Sequence, residues 1–429
     1  MTSRRPNLLI VMVDQMQADL LDDEPPIRLA HLQRLRDHAT RFTHAFCPAP
    51  ICTPTRASFQ LAQSVAEHAV VGNNRPMPPG PTLATRLNNA GYRTAYVGKW
   101  HLDRGDPRGW TTHDPVRTGG VEGHHVMAGP DTPHAGVDPG PVADHVDGRV
   151  AARAHAQLEG LQRQPGPWAL MISFYGPHAP YYLPAEWHGR FDPASIPLPD
   201  DFDAPMAGKP DVQSTFRCRA WGERWSAEKW RHIRAAYFGY GAMLDQLIGD
   251  LLNRIDLART AVLVLSDHGE MNGKLRMIYK GPMMYDALTR VPVLLAGPAI
   301  RSGDDDRLVQ TQDLTQTLLG LADAKPLPGD GRDLYKQAID RDAVVSEFHE
   351  ANWVDPVVHQ RVAMLRDRDW KYVITEGDTH ELYDMRPRPV ERDNLIDHPT
   401  QRDRVARMHR RLTRDVPWVA SVPIPLPRD

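Results

Sequence analysis

Residues Asn7–Val13 read NLLIVMV. Such an unbroken apolar run suits a strand covered on both faces, as in a parallel sheet wrapped by helices. It stops at Asp14 and Gln15. Open α/β sheets place their sites at the carboxyl ends of such strands. Three more runs end the same way. Thr94–Val97 leads into Gly98-Lys99-Trp100-His101, Trp168–Phe174 (WALMISF) into Gly176-Pro177-His178, and Thr260–Leu265 into Ser266-Asp267-His268-Gly269. Val291–Leu295 is a further apolar strand. Helical patterns lie between the strands: Arg28–His38, Thr82–Ala90 stopped by Gly91, Val142–Leu161, Ala227–Asn253 and Asp313–Leu321. Strands alternating with helices predict a mostly parallel sheet.

After about residue 340 the pattern changes. Val344–Phe348, Val362–Leu365, Lys371–Thr375 and Glu381–Tyr383 follow one another without helices, and one helix near Arg402–Arg414 comes last. This predicts two units: an α/β domain over 1–340 that carries the site, and a small antiparallel-sheet subdomain with one helix over 341–429. The stretches 103–141 and 192–209 are rich in glycine or proline and read as irregular. The tail Val416–Asp429 holds four prolines and reads as extended.

A chain of 429 residues suits one large domain with an appendage. The net charge of −3 carries no basic footprint, which argues against a nucleic-acid partner. Leu8–Val13 is too short to span a bilayer or to serve as the core of a signal peptide. The expectation is therefore a cytoplasmic protein without a membrane partner. Three cysteines (Cys47, Cys52, Cys218) form no disulfide framework and suit a reducing compartment.

Any one polar residue at a strand end would be an unremarkable cap or core group. Four such ends on one sheet bring Asp14, Gln15, Lys99, His101, His178, Asp267 and His268 to a single rim. The decisive segment is Cys52-Thr53-Pro54-Thr55-Arg56. It matches the C-x-P-x-R motif of type I sulfatases, whose cysteine is oxidised to formylglycine. Thr94–His101 (TAYVGKWH), Gly176–Pro180 (GPHAP), Ser266–Glu270 (SDHGE), Lys280-Gly281-Pro282 and Glu381–Leu395 resemble further blocks of that family, in order. The resemblance spans residues 6 to about 410.

The resemblance implies an alkaline-phosphatase-like α/β fold and hydrolysis of a sulfate monoester. It implies 3-oxoalanine (formylglycine) made from Cys52 by a formylglycine-generating enzyme, and a divalent metal held by Asp14, Cys52, Asp267 and His268, with Gln15 as ligand or neighbour. Oxygen ligands point first to calcium, with manganese or magnesium as alternatives. Arg56 and Lys99 would steady the formylglycine hydrate, and His101 would act as base for sulfate release. His178 and Lys280 would contact the sulfate, with His178 the candidate leaving-group acid. Asn73 falls where the family places a sulfate-contacting Asn, and Asn74 is its rival. The Asp-Gln and Asp-His pairs resemble the branch of choline sulfatases, glycan sulfatases and phosphonate monoester hydrolases. Leu61-Ala62 stand where the family signature continues with Thr-Gly.

The chemistry agrees. A sulfate ester is an anion, so hydrolysis needs cations around its oxygens, a strong nucleophile and a proton donor. The expected partner is a small sulfated substrate, and homo-oligomerisation is left open. Two rival readings stand: a phosphonate monoester or phosphodiester hydrolase on the same site, and a non-catalytic homologue that binds a sulfated ligand. Other residues carry plainer expectations. Cys47 and Cys218 read as spectator thiols. His124, His125, His134 and His145 read as a solvated excursion. Trp221, Trp225 and Trp230 read as packing, Glu347, His349 and Glu350 as solvated charge, and Arg402–Arg414 as a solvated helical face.

Overall fold

The computed structural model describes residues 5–102, 106–117, 129–336, 341–352, 357–386 and 391–424. Fourteen strands occur among them: β1 (Asn7–Val13), β2 (Ala39–Phe46), β3 (Arg93–Gly98), β4 (Thr112–Pro115), β5 (Ala135–Asp138), β6 (Trp168–Ser173), β7 (Tyr181–Pro184), β8 (Thr260–Ser266), β9 (Val293–Ala296), β10 (Gly303–Gln310), β11 (Val344–Ala351), β12 (Val358–Arg366), β13 (Trp370–Thr375) and β14 (Glu381–Asp384). Eight of them form one sheet in the order β10-β2-β9-β8-β1-β6-β3-β4. β9 is antiparallel to both β2 and β8, while the other pairs are parallel.

Strand alternation explains the two layers. Leu9, Val11 and Val13 of β1 pack with Val150, Leu158, Ile233 and Tyr237 on one side. Leu8, Ile10 and Met12 pack with Phe59, Leu83, Leu87, Leu314 and Leu318 on the other. The helices Val146–Gln162 and Ala227–Leu252 therefore cover one face, and Cys52–Leu61, Leu83–Asn89 and Thr311–Leu321 cover the opposite one. β8, β1, β6 and β3 are adjacent and parallel, so their carboxyl ends share one rim.

β11 to β14 form a separate antiparallel sheet. It is tied into the large domain. Phe348, Val362, Met364 and Val373 join the main core, while Ala363, Leu365, Tyr372 and Ile374 face Val405, Met408 and Leu412 of the helix Arg402–Asp415. Each Val, Leu, Ile, Phe and Met among these gains about 1.5–3 kcal/mol from full burial.

Several expectations need correction. β2 (ATRFTHAF) and β10 (GDDDRLVQ) are strands that periodicity did not reveal. Polar residues interrupt the first, and the amino-terminal half of β10 is an exposed edge, where charge guards against unwanted pairing. The 103–141 stretch contributes β4 to the large sheet and β5 to a small parallel pair with β7. His134 within it and His145 just after it are buried. His134 meets Tyr279 and Trp225, and His145 caps the Val146–Gln162 helix through Asp147 N. His124 and His125 lie outside the described residues. The tail is not extended throughout: Pro417–Ser421 forms a 3-10 turn, and Val416, Val419 and Val422 are buried. Glu347 and Glu350 are buried too, paired with His349 and Arg75. Trp225 and Trp230 pack in the core as expected, and Cys47 and Cys218 are buried thiols beside the Leu288 and Lys280 carbonyls.

Candidate active site

The nucleophile position is built by a helix start. Cys52 is the first residue of the helix Cys52–Leu61, after Ile51 in an extended conformation. Pro54 sits in the first turn, where a missing N–H costs no helical bond. The helix dipole favours negative charge at Cys52. Asn73 Oδ1 accepts from Thr53 N at 3.0 Å, satisfying one of the free amides of that turn. Asn73 is buried and its rival Asn74 is exposed, so Asn73 is the residue that meets the helix. The helix ends at Ala62 in the left-handed region, φ 57° and ψ 34°.

Asp14, Cys52, Asp267 and His268 offer ligand atoms within 4.8 Å of one another, all buried. His268 Nδ1 donates to the Gly269 carbonyl at 2.9 Å, which turns the Nε2 lone pair toward Cys52 Sγ, 3.3 Å away. Two carboxylates, an imidazole with a fixed tautomer and the residue-52 side chain fit a divalent cation. If Cys52 is converted as the family resemblance implies, its sulfur marks where the oxygens of a formylglycine hydrate would lie.

Cationic groups close around this set. Arg56 Nε and Nη2 contact Asp267 Oδ2 at 2.9 Å and Asp14 Oδ2 at 3.0 Å, and Nη1 reaches Ser173 Oγ at 2.8 Å. Lys99 Nζ lies 2.5 Å from Asp14 Oδ2 and 4.0 Å from Cys52 Sγ. Lys280 Nζ lies 3.2 Å from Cys52 Sγ, 3.1 Å from His268 Nε2 and 2.9 Å from Gln15 Oε1. Gly98 lets Lys99 enter. Its φ is +104°, and a Cβ there would fall 2.1 Å from the Ser173 carbonyl oxygen.

These contacts set the protonation states. Burial resists ionisation of Cys52, yet Lys280, Lys99 and His268, with a hydrogen bond from His101, hold the thiol well below its ordinary value. Burial and Cys52 push Asp14 up, but Lys99, His178 and Lys280 hold it well below the usual carboxylate range. Asp267 is pushed up by burial and by Asp14. Burial and Lys280 bring His178 down to about 4. Its Nδ1 donates to the Ala179 carbonyl at 2.5 Å, so in the free site His178 is neutral with Nε2 available as an acceptor. It must gain a proton before it can serve as a leaving-group acid.

All the residues expected at the site meet there: Asp14, Gln15, Cys52, Arg56, Asn73, Lys99, His101, His178, Asp267, His268 and Lys280. Gln15 and His101 both adopt positive φ, 70° and 50°. Such backbone strain costs on the order of 1 kcal/mol each and clusters at functional sites. Sequence reasoning gave no part to Ser173, which holds Arg56, to Tyr175, whose ring lies 5.5 Å from Lys99 Nζ, or to Glu270, which holds Gln15. The signal available was position: Ser173 ends β6, Tyr175 lies two residues beyond it, and Glu270 closes the SDHGE block after β8.

The sequence model of the sulfatase family matches residues 6–324. The chain belongs to the sulfatase family. A second model, N-sulphoglucosamine sulphohydrolase, C-terminal, matches residues 276–416 and so straddles the expected junction at 340. This sulfatase is 28% identical over 437 residues to the choline-sulfatase of Rhizobium meliloti, covering 93% of this chain and 84% of that one. It is 27% identical over 448 residues to the Delta 4,5-hexuronate-2-O-sulfatase of Bacteroides thetaiotaomicron, covering 96% and 88%. Its fold is shared by a solved 2-O GAG sulfatase (TM-score 0.78, 24% identity, 97% and 93% covered). The phosphonate monoester hydrolase of Silicibacter pomeroyi shares it too (TM-score 0.77, 22% identity, 96% and 95% covered). No helix among the described residues of the sulfatase is long and apolar enough to cross a membrane.

Proposed function

We propose that this sulfatase hydrolyses a small sulfate monoester with a formylglycine hydrate at position 52 and a divalent cation, calcium first, at Asp14, Asp267 and His268. The single observation that carries the reading is the placement of Cys52 at a helix start, within the carboxylate and histidine set and facing Lys99 and Lys280. The cation and the hydrate supply Lewis acidity and a geminal diol nucleophile when present. The chain's own residues do the rest. Arg56 keeps Asp14 and Asp267 in place. Lys99 and Lys280 neutralise the sulfate oxygens and hold the ester against residue 52. His101, hydrogen-bonded to the residue-52 side chain, is placed to take its proton. His178 faces the same atom, and a bound anion would raise its affinity for the proton it passes to the leaving alcohol. Three unbridged cysteines support a reducing, cytoplasmic setting.

A phosphonate monoester or phosphodiester hydrolase is the rival. By the family resemblance Lys99 and His101 argue against it, since the phosphonate branch is expected to carry uncharged hydroxyl residues at that pair. The test compares kcat/KM for an aryl sulfate, an aryl phosphonate monoester and a phosphodiester on converted, metal-loaded protein. The sulfate should win. A diester or phosphonate ahead by more than about tenfold, roughly 1.4 kcal/mol in the barrier, gives the site to the rival.

A further inference from the structure

Glu270 takes no part in the chemistry above, yet it is fully buried at the end of the segment that bears Asp267 and His268. Among the described residues no Lys, Arg or His pairs with it. Four hydrogen-bond donors surround it instead. Oε1 accepts from Asn272 N at 3.0 Å and from Tyr279 N, and Oε2 accepts from Tyr181 Oη at 3.2 Å and from Gln15 Nε2. On the far side of Gln15 the Lys280 ammonium can only donate. Gln15 must therefore turn its amide nitrogen to Glu270 and its oxygen the other way.

That other way is the cation side of the site. Gln15 Oε1 accepts from Lys280 Nζ at 2.9 Å, and the same ammonium contacts His268 Nε2 and Cys52 Sγ. The backbone of Gln15 is held as well, its N donating to Asp267 Oδ1 at 3.1 Å and its carbonyl accepting from Tyr237 Oη at 3.1 Å. With every polar group engaged, the amide has one orientation.

We infer that Glu270 is a positioning residue: by accepting from Gln15 Nε2 it presents Gln15 Oε1, rather than the amide hydrogens, to the cation side, and so sets how tightly the site holds a divalent cation. The contact also accounts for Gln15 itself. A carboxylate at 15 would press against Glu270 in a buried site, and each would oppose ionisation of the other.

This inference rests on the divalent-cation reading of the site. The test is titration of metal-free protein with Ca2+ by calorimetry and with Mn2+ by its electron paramagnetic signal, with no turnover involved. In Glu270→Gln the new amide nitrogen donates toward Gln15, whose oxygen turns to meet it and whose hydrogens then face the cation. Affinity should fall tenfold or more. The exchanged pair, Gln15→Glu with Glu270→Gln, restores an acceptor at 15 and a donor at 270, and should bind within about threefold of the wild type or tighter. Because a carboxylate at 15 is itself a cation ligand, Glu270→Asp is titrated alongside: it keeps the acceptor, so positioning predicts binding closer to the wild type than Glu270→Gln gives, and Glu270→Asp no tighter than Glu270→Gln overturns it. Glu270→Gln binding like the wild type would overturn the inference, as would an exchanged pair no tighter than the single variant. If Glu270→Gln does not fold, the exchanged pair decides: binding at the wild-type level supports positioning, and a folded pair that binds weakly overturns it. The wild-type titration separately tests the metal reading, and wild-type protein that binds neither ion removes both.

Discussion

The guanidinium of Arg56 lies 2.9 Å from Oδ2 of Asp267, with both side chains almost wholly buried. The same group reaches Asp14, so one side chain from the motif helix links the ends of β1 and β8. Burial opposes its charge, but Asp267 and Asp14 raise its proton affinity and keep it cationic. Arg56 thereby permits two carboxylates to share a buried site.

Removing that link leaves buried charge uncompensated. Arg56→Ala should lower unfolding free energy by about 3–5 kcal/mol in chelator. Saturating divalent cation should return part of the loss, because the cation supplies positive charge beside the same carboxylates. Urea unfolding with and without cation checks both halves.

Asp267→Asn should abolish tight cation binding and turnover together. In metal-free protein it should cost little stability or add some. The sign follows from the raised proton affinity of Asp267, produced by burial and by Asp14: at neutral pH its charge opposes folding, and the amide carries none. Metal analysis and melting in chelator are the measurements. Full metal occupancy in the variant would contradict the ligand assignment.

Co-expression with a formylglycine-generating enzyme should convert Cys52, seen as an aldehyde in the peptide mass. Cys52→Ala should be inactive. Cys52→Ser made in an aerobic host should also fail, since one hydroxyl cannot both attack and expel sulfate. Recovery of only alkylatable Cys52 would defeat the conversion reading.

Burial holds His68 at about 4, against 6.5 for a free imidazole. Its Nδ1 accepts from Val70 N at 2.9 Å, and Nε2 lies 2.8 Å from Ser58 Oγ. Between those values the unfolded chain binds a proton that the native state does not, so stability falls as pH drops from about 6.5 to 4. The full loss is about 3 kcal/mol. His68→Asn keeps an acceptor near Nδ1 and should flatten the stability profile over that window by up to one proton. An unchanged slope would remove His68 from the acid response.

Ala62 occupies the left-handed end of the Cys52–Leu61 helix, where glycine carries no Cβ penalty. The family's usual glycine at this point suits that backbone. Ala62→Gly should stabilise the protein by about 0.5–1 kcal/mol, read as a higher denaturant midpoint at unchanged slope. A lower midpoint would show that the lost methyl packing outweighs the backbone relief.

The sequence by itself determined the chemistry-bearing ends. NLLIVMV followed by Asp-Gln, and three similar runs, are local patterns, and a doubly covered parallel strand must be apolar throughout. The pentapeptide at Cys52 was legible for the same reason, since its proline, arginine and cysteine are neighbours in the chain. Tertiary structure alone decided the rest. β10 begins GDDD and forms a strand only because β2 lies beside it to take its hydrogen bonds. β9 runs against its neighbours, a direction that no residue pattern encodes. His134, His145 and Glu350 looked solvated because polarity in a sequence does not show which partner will cover it. Arg56 stands 211 residues from Asp267 and Gln15 stands 255 from Glu270, so these pairings depend on how strands are ordered across the sheet. Local spacing reports what a segment can bury. It does not report which distant segment will satisfy the polar atoms that go with it.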